Sequence, residues 1–427
     1  MKENNLFFLE NRINLPKNKI KLVLFDAAKY LKDYSESIDS VNFDKEINPE
    51  KYLSVTKELD YSNISPGLYT GFVKKNNRER YVSANNEQDS RRLIGFNTQV
   101  RVSLIEYNKE YNTNPKEYLA KLTKIPENIE SVSDVFSYHI NVGHGNCTII
   151  YNKGKIIFID CSIFDITGPR WYTSNLDSCI KHIKKKFALS FFHIDFFLLT
   201  HPHYDHYSGV EYLIKNNFID SSTVFYLNEH YSFQGILYTR VLNKIINMGC
   251  KIFEPIKNNS NSLFEIIHPS KIIVKKPFNA PSIPIKDKIV EPNPNNASFV
   301  SLFELAGKKL LFPGDLEMQG WDKICPCDIC TSNIDYFAIS HHGSITGFER
   351  TVCGKNKQIN DLSDCLSKDV YAVLMGRDGA YSGIYCPKVI SSFKNLYYTE
   401  KDNNGDEKEF LEINLSTDEA IWYKDQV

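Results

Sequence analysis

From Phe136 onward, apolar runs of strand length alternate with segments of helical spacing. FSYHINVGHGNCTIIYNKGKIIFIDCS (136–162) reads as strand, glycine turn, strand, tight turn and strand, with Asn152-Lys153-Gly154-Lys155 as a hairpin turn. HIDFFLLTH (193–201) is a buried strand that runs into a histidine cluster. STVFYLNE (222–229), SLFEIIHPS (262–270), ASFVSLFELAGKKLLFPGD (297–315), IDYFAISHHG (334–343) and YAVLMG (371–376) supply further strands, and KEFLEINLSTDEAIWYK (408–424) fits two closing ones. LDSCIKHIKKKFAL (176–189), SGVEYLIKNN (208–217) and YTRVLNKIINMGC (238–250) have helical spacing; Ser208 stands near the N-cap of the second and Gly249 closes the third. Strands and helices in alternation place this part in the α/β class, as two sheets sandwiched between helices with polar clusters at strand ends.

The first 133 residues have another texture. KIKLVLFDAAKYLKDY (19–34) reads as a strand and a short helix, and GLYTGFVKKNNRERYVSA (67–84) and TQVRVSLIEYNKEY (98–111) alternate like strands. The polar stretch PENIESVSD (126–134) suits a linker. Two regions are expected: a small α+β N-terminal region over 1–133, suited to recognising a substrate or protein partner, and a larger domain over 134–427.

Composition narrows the function classes. A length of 427 residues exceeds the usual single core. A formal net charge of -1 gives no global attraction to nucleic acid or anionic membrane. The opening residues lack a secretory plan and no apolar run reaches membrane-spanning length, so no membrane association is expected. Ten cysteines in that context read as reduced thiols of a cytoplasmic protein.

The chemistry concentrates in His201-Pro202-His203-Tyr204-Asp205-His206. Two histidines two apart at a strand end can chelate one cation, and the Asp and His that follow can turn toward a second. Imidazole and carboxylate donors suit zinc or a similar first-row metal. LLFPGD (310–315) and YFAIS (336–340) repeat the form: an apolar strand delivers Asp315 in one case and His341-His342-Gly343-Ser344 in the other.

With those segments, residues 136–420 resemble the metallo-β-lactamase superfamily, and within it the hydrolase domain of ComEC-type competence proteins and their stand-alone bacterial relatives. The resemblance rests on NVGHGNCTII (141–150), GKIIFIDCS (154–162), LLTHPHYDHYSGVEYLI (198–214), NNASFVSLFELAGKKLLFPGDLE (295–317) and AISHHGSITGF (338–348). It implies a metallo-β-lactamase αββα sandwich, with His201 and His203 on a first metal, Asp205 and His206 on a second, Asp315 bridging both, and one of His341 and His342 completing the second site while the other faces the substrate. Asp160 is implied as a carboxylate behind the ligands. The implied cofactor is a pair of Zn2+ ions, with Mn2+ or Fe2+ as alternatives. The sequence departs from the pattern in two places. The third histidine many members give the first metal has only His230 and His268 as candidates, with Asn295 or Asn296 standing where the branch tends to have Asn. The opening turn has His144 and Asn146 where competence proteins commonly have Gln and Asp.

A paired-metal site activates a shared water and neutralises charge on the atom attacked, with Asp205 and the two histidines His341 and His342 as the groups nearest the chemistry. A phosphodiesterase or nuclease is the leading expectation. The alternatives are a carboxylic-ester or lactone hydrolase, and an effector or interaction component of a bacterial multi-protein system such as phage defence. Weaker signals are Cys325, Cys327 and Cys330, for which Cys353 or Cys365 could complete a structural zinc site. Two basic groups, Lys74, Lys75, Arg78, Arg80, Arg91 and Arg92 with Tyr69, Phe72 and Tyr81, and Lys181 with Lys184–Lys186, could contact nucleic acid.

Overall fold

The structure, a computed structural model, describes the strands between residues 5 and 85 and then residues 135–424, apart from 166–169, 229–230, 232–235, 258–259, 275–287, 292, 325–332, 349–365, 367–368 and 381–382. The chain divides into two compact units, residues 1–109 with 232–244, and residues 110–231 with 245–427.

In the smaller unit, β1 (Asn5–Leu15), β2 (Lys19–Asp26), β3 (Leu53–Val55), β4 (Leu59–Asp60), β5 (Gly67–Asn76) and β6 (Glu79–Asn85) form one antiparallel sheet in the order β3-β2-β1-β5-β6, with β4 also on β2. The segment 67–84 is thus a hairpin, with Lys75 opposite Arg80. β1 went unpredicted: its run Leu6–Leu9 is continuously apolar, and a register shift between Leu9 and Asn11 breaks the period-2 signal. The helix expected after Asp26, the strand expected over 98–111 and the linker at 126–134 lie outside the described residues.

The larger unit begins with β7 (Val135–Ile140), β8 (Cys147–Asn152) and β9 (Lys155–Cys161), then the short pair β10 (Phe164–Asp165) and β11 (Arg170–Trp171). Helix α1 (Thr173–Lys186), β12 (Phe196–Leu198), α2 (Tyr204–Tyr207), α3 (Val210–Lys215), β13 (Val224–Tyr226), α4 (Ile236–Asn247, residues 236–244 of which group with the smaller unit) and β14 (Lys251–Phe253) follow. Next come β15 (Phe264–His268), the parallel pair β16 (Ile272–Val274) and β17 (Lys288–Val290), β18 (Val300–Leu305), β19 (Lys308–Phe312), α5 (Met318–Trp321) and β20 (Tyr336–Ala338). β21 (Tyr371–Leu374), α6 (Pro387–Ser391), β22 (Asn395–Tyr398), β23 (Phe410–Asn414) and β24 (Glu419–Tyr423) complete it.

Two sheets result, ordered β14-β13-β12-β9-β8-β7-β23-β24 and β15-β18-β19-β20-β21-β22. Their facing sides share one core, in which Ile157, Ile159, Phe196 and Leu198 of the first meet Phe303, Leu310, Phe312, Tyr336 and Val373 of the second. The residues between them point the other way. Leu311, Phe337, Ala372 and Leu374 pack with Trp321 of α5 and Val389 of α6 on the outer face. Strands covered on both faces read as unbroken apolar runs, which is why LLF and YFA show no alternation. On the outside of the first sheet, Phe158, Phe197 and Phe225 stack in a row, and His182 of α1 meets Tyr138 edge-on. The layers are therefore helix, sheet, sheet, helix. The parallel strands β9, β12, β19, β20 and β21 all end at one rim of the sandwich, so the segments that follow them are gathered there.

The five described cysteines outside the masked segments are free thiols. Cys325, Cys327, Cys330, Cys353 and Cys365 lie outside the described residues, as do Arg91 and Arg92. Of the second basic group, Lys186 is engaged by Glu412 at 2.7 Å and lies over the Phe136 ring. No helix among the described residues is long and apolar enough to cross a membrane.

Candidate metal centre

At this rim the strand ends bring six titratable side chains together. Asp205, His206, Asp315 and His342 form one group of mutually close donor atoms, and His201, His203 and Asp315 form another. Asp315 is common to both. The His206 Nε2 to Asp315 Oδ1 distance is 3.3 Å, and His342 Nε2 lies 3.4 Å from Asp205 Oδ2 and 3.5 Å from Asp315 Oδ2. Donors held at about 2.0–2.2 Å from one tetrahedral ion are separated by roughly 3.3–3.6 Å, so this group already has the spacing of a ligand set. In the other group, His201 Nε2 is 3.0 Å from His203 Nδ1 and 3.9 Å from Asp315 Oδ2.

The donors that face inward have no hydrogen-bond partner in the protein: His206 Nε2, His342 Nε2, Asp205 Oδ1 and Asp315 Oδ1 are all buried and unmatched. Buried polar atoms are normally paired. One such orphan on each of the four residues of one donor group fits a bound cation. The opposite edges of the same rings are anchored. His206 Nδ1 donates to Asp160 Oδ2 at 2.8 Å, and Asp160 in turn accepts from Thr200 N at 2.8 Å. His342 Nδ1 donates to the Met375 carbonyl at 3.2 Å. Each bond fixes the tautomer that leaves Nε2 as the donor to metal. Asp160, His341 and His342 all have left-handed backbone, with φ of 56°, 48° and 51°. Such strain in non-glycine residues gathers at functional sites.

The electrostatics follow the same division. Burial lowers the His201 and His144 imidazoles well below their ordinary range, and it brings His203 down to about 4. These rings stay neutral. Burial acts the same way on His342 and His206, yet carboxylates outweigh it. Asp315 and Asp205 push His342 up to about 9, and Asp315 with Asp160 raise His206 well above the usual value. Burial likewise opposes ionisation of Asp315, but His342 and His206 hold it well below the carboxylate range. Two carboxylates this close demand positive charge, which a divalent cation supplies in place of the two protons.

A model of the metallo-beta-lactamase superfamily matches residues 140–321. This segment is a metallo-β-lactamase superfamily domain. The His/Asp cluster, most of it within this segment and completed by His342 beyond it, could hold divalent metal, and metal-dependent hydrolysis is the usual chemistry of that superfamily. Among solved structures the chain is similar to the metallo-beta-lactamase fold protein YhfI from Bacillus subtilis, at 10% identity and a TM-score of 0.31, over 65% of this chain and 99% of that one. It is also similar to a mutant of CmlA beta-hydroxylase, at 11% identity and a TM-score of 0.33, over 94% of this chain and 76% of that one. No curated protein matches the sequence.

Of the two adjacent histidines, the structure places His342 in the donor group. His341 is partly exposed, its Nδ1 3.2 Å from Thr346 Oγ1 and 3.5 Å from Glu317 Oε1, and its Nε2 accepts from Asn295 Nδ2 at 3.2 Å. Asn295 therefore stands beside the site, whereas the Asn296 Oδ1 accepts from Gly320 N at 3.1 Å, on the α5 side. His268, at the end of β15, belongs to neither donor group, and His230 lies outside the described residues. Sequence reasoning passed over Glu317, although it stands two residues after Asp315 and so shares its turn. It also noted His144 only as a departure, yet that ring lies against His342 with centroids 4.2 Å apart.

Proposed function

We propose that this protein is a dinuclear metal-dependent hydrolase of phosphodiesters, with zinc as the metal. The observation that carries the reading is that Asp315 belongs to both donor groups. A carboxylate shared by two sets of ligands is how a site places two cations a few ångströms apart. His201, His203 and Asp315 would hold one ion, and Asp205, His206, Asp315 and His342 the other. Such a pair, when bound, activates water near neutral pH and neutralises charge on the non-bridging oxygens of a scissile phosphate.

The protein's own groups do the remaining work. Asp160 orients His206, the Met375 carbonyl orients His342, and Ser298 Oγ accepts from Asp315 N at 3.1 Å, which fixes the shared carboxylate. His341 is the partly exposed ring at the edge of the donor group, with its Nε2 against Asn295 and its Nδ1 beside Thr346 and Glu317. It is assigned the proton that stabilises the departing oxygen. The likeness of the motifs to competence-protein hydrolases supports a phosphodiester over a lactone.

The test is hydrolysis of a chromogenic phosphodiester and of single- and double-stranded DNA by zinc-reconstituted protein, beside a lactone and carboxylic-ester panel. Turnover of the phosphodiester set that disappears in Asp315→Asn supports the reading. Turnover confined to the lactones and esters overturns the substrate class, and full phosphodiester turnover by Asp315→Asn overturns the site.

A further inference from the structure

Segments that lie far apart in the chain meet on one carboxylate beside the donor groups. Glu317 stands at the N-terminal end of α5, in the turn that carries the shared residue Asp315. Its Oε2 accepts from Asn293 Nδ2 at 2.7 Å, on the loop that follows β17. Its Oε1 accepts twice, from Asn295 Nδ2 at 3.2 Å and from Thr346 Oγ1 at 3.4 Å. Those two donors are also the partners of the His341 ring: Asn295 Nδ2 lies 3.2 Å from Nε2, and Thr346 Oγ1 lies 3.2 Å from Nδ1. The imidazole is gripped at both nitrogens by side chains that converge on a single oxygen.

The chemistry of that oxygen sets the direction of the bonds around it. An ionised carboxylate accepts hydrogen bonds and cannot donate them. The bond from Thr346 to Glu317 uses the hydroxyl proton, which leaves the hydroxyl oxygen to accept from His341 Nδ1. The carboxylate likewise draws the amide nitrogen of Asn295 rather than its oxygen, so the same nitrogen faces His341 Nε2 and that ring atom accepts. Asn295 Oδ1 is left buried with no hydrogen-bond partner, a cost that the pull of the carboxylate on the amide nitrogen explains. Both partners are themselves braced. Ser344 Oγ lies 2.9 Å from Thr346 Oγ1 and accepts from Thr346 N at 3.3 Å, and Asn295 N donates to Asn293 Oδ1 at 3.1 Å. The His341 backbone is fixed separately, its N donating to the Gly314 carbonyl at 3.2 Å. The backbone leaves open the tautomer and the rotation of the ring, and the carboxylate closes both.

We propose that Glu317 is a positioning residue of this site, acting through Asn295 and Thr346 to hold His341 in one tautomer and one orientation. The proposal rests on the reading of His341 as the group that stabilises the departing oxygen of a phosphodiester. Glu317 belongs to neither donor group, so it governs the chemical step and leaves the cations in place. Its removal lets the ring rotate and exchange tautomers, and a smaller share of molecules then presents the Nδ1 proton where the oxygen leaves.

One arm of the test needs no catalysis. Full-length metal-free protein is prepared with isotope-labelled histidine, and the ring nitrogen signals of His341 are assigned by their absence from His341→Ala. Wild type should show the well-separated nitrogen shifts of a single neutral tautomer, and Glu317→Ala should draw them together. Ring shifts that stay at their wild-type positions in Glu317→Ala overturn the proposal. In the other arm, zinc-loaded wild type, Glu317→Ala, His341→Ala and the double variant are given two diesters, one releasing p-nitrophenolate and one releasing an alkoxide. The alkoxide leaves with more charge to stabilise, so Glu317→Ala should lower kcat about tenfold or more on that diester and about twofold or less on the other. KM and zinc content should hold. In the His341→Ala background the substitution should add no further loss. Equal losses on both diesters, release of zinc, or full additivity with His341→Ala make Glu317 a brace for the fold and overturn the proposal. Near-ultraviolet circular dichroism checks the folding of each variant. If wild type turns over neither diester, the phosphodiester reading has failed, and the ring shifts still decide whether Glu317 sets His341.

Discussion

The two donor groups that share Asp315 are made of the same residue types and are not built alike. Around Asp205, all four donors are buried, and the rings of His206 and His342 are each anchored through Nδ1 by a separate acceptor, Asp160 or the Met375 carbonyl. Around His201 there are three donors, His203 is only partly buried, and the one hydrogen-bond partner described for its ring is His201 itself. The first group keeps its shape without a cation; the second depends on the cation to set His203. Ligand count and chemistry are therefore a poor guide to occupancy. Support behind the ligands distinguishes a site that fills early from one that fills late.

The strongest way to break this comparison is at the shared residue. Asp315→Ala should remove both ions and lower phosphodiester hydrolysis by on the order of 10³-fold, the scale of losing a principal charge stabiliser; kcat/KM with saturating Zn2+ is the check. Asp160→Asn touches neither cation, and it should weaken the Asp205-side ion by about 10–100-fold through the His206 ring while leaving the His201-side ion nearly unchanged. Competition with a chromophoric chelator resolves the two affinities, and equal losses at both would erase the distinction drawn above.

The pH dependence is smaller and has a definite sign. His342 is raised from 6.5 to about 9 in the metal-free protein, burial opposing and Asp315 and Asp205 prevailing. A raised folded-state pKa stabilises below the unfolded value, so this contribution is full below about pH 6.5 and is lost as pH climbs through about 9. The proton must leave for metal to bind. Apparent affinity on the Asp205 side should thus climb by about tenfold or more per pH unit between 6.5 and 9, while His203, already neutral, gives the other side a flatter profile. Calorimetry in buffers of different ionisation enthalpy counts the protons released. Metal-free protein should also lose thermal stability over the same pH window.

Much of this was legible in the sequence because strand ends announce themselves. The runs LLF before Asp315 and YFA before His341 are apolar on both faces, and only a strand covered on both sides reads that way. His201–His206 followed the same rule. What escaped were the relations between turns. Which of His341 and His342 points inward depends on two consecutive left-handed residues, and no spacing encodes that choice. Glu317 and Asn295 meet His341 through a contact between segments far apart in the chain. The strand β1 was hidden by its irregular register, which cancels the alternation that would have shown it.

The central claim is a pair of cations held unequally by two groups with one residue in common. Metal content measured by mass spectrometry tests it most directly, on protein reconstituted with Zn2+ and then passed through a desalting column. Two ions are predicted for wild type, one for His203→Ala and none for Asp315→Ala. Wild type without metal, or Asp315→Ala still carrying two ions, would contradict the account.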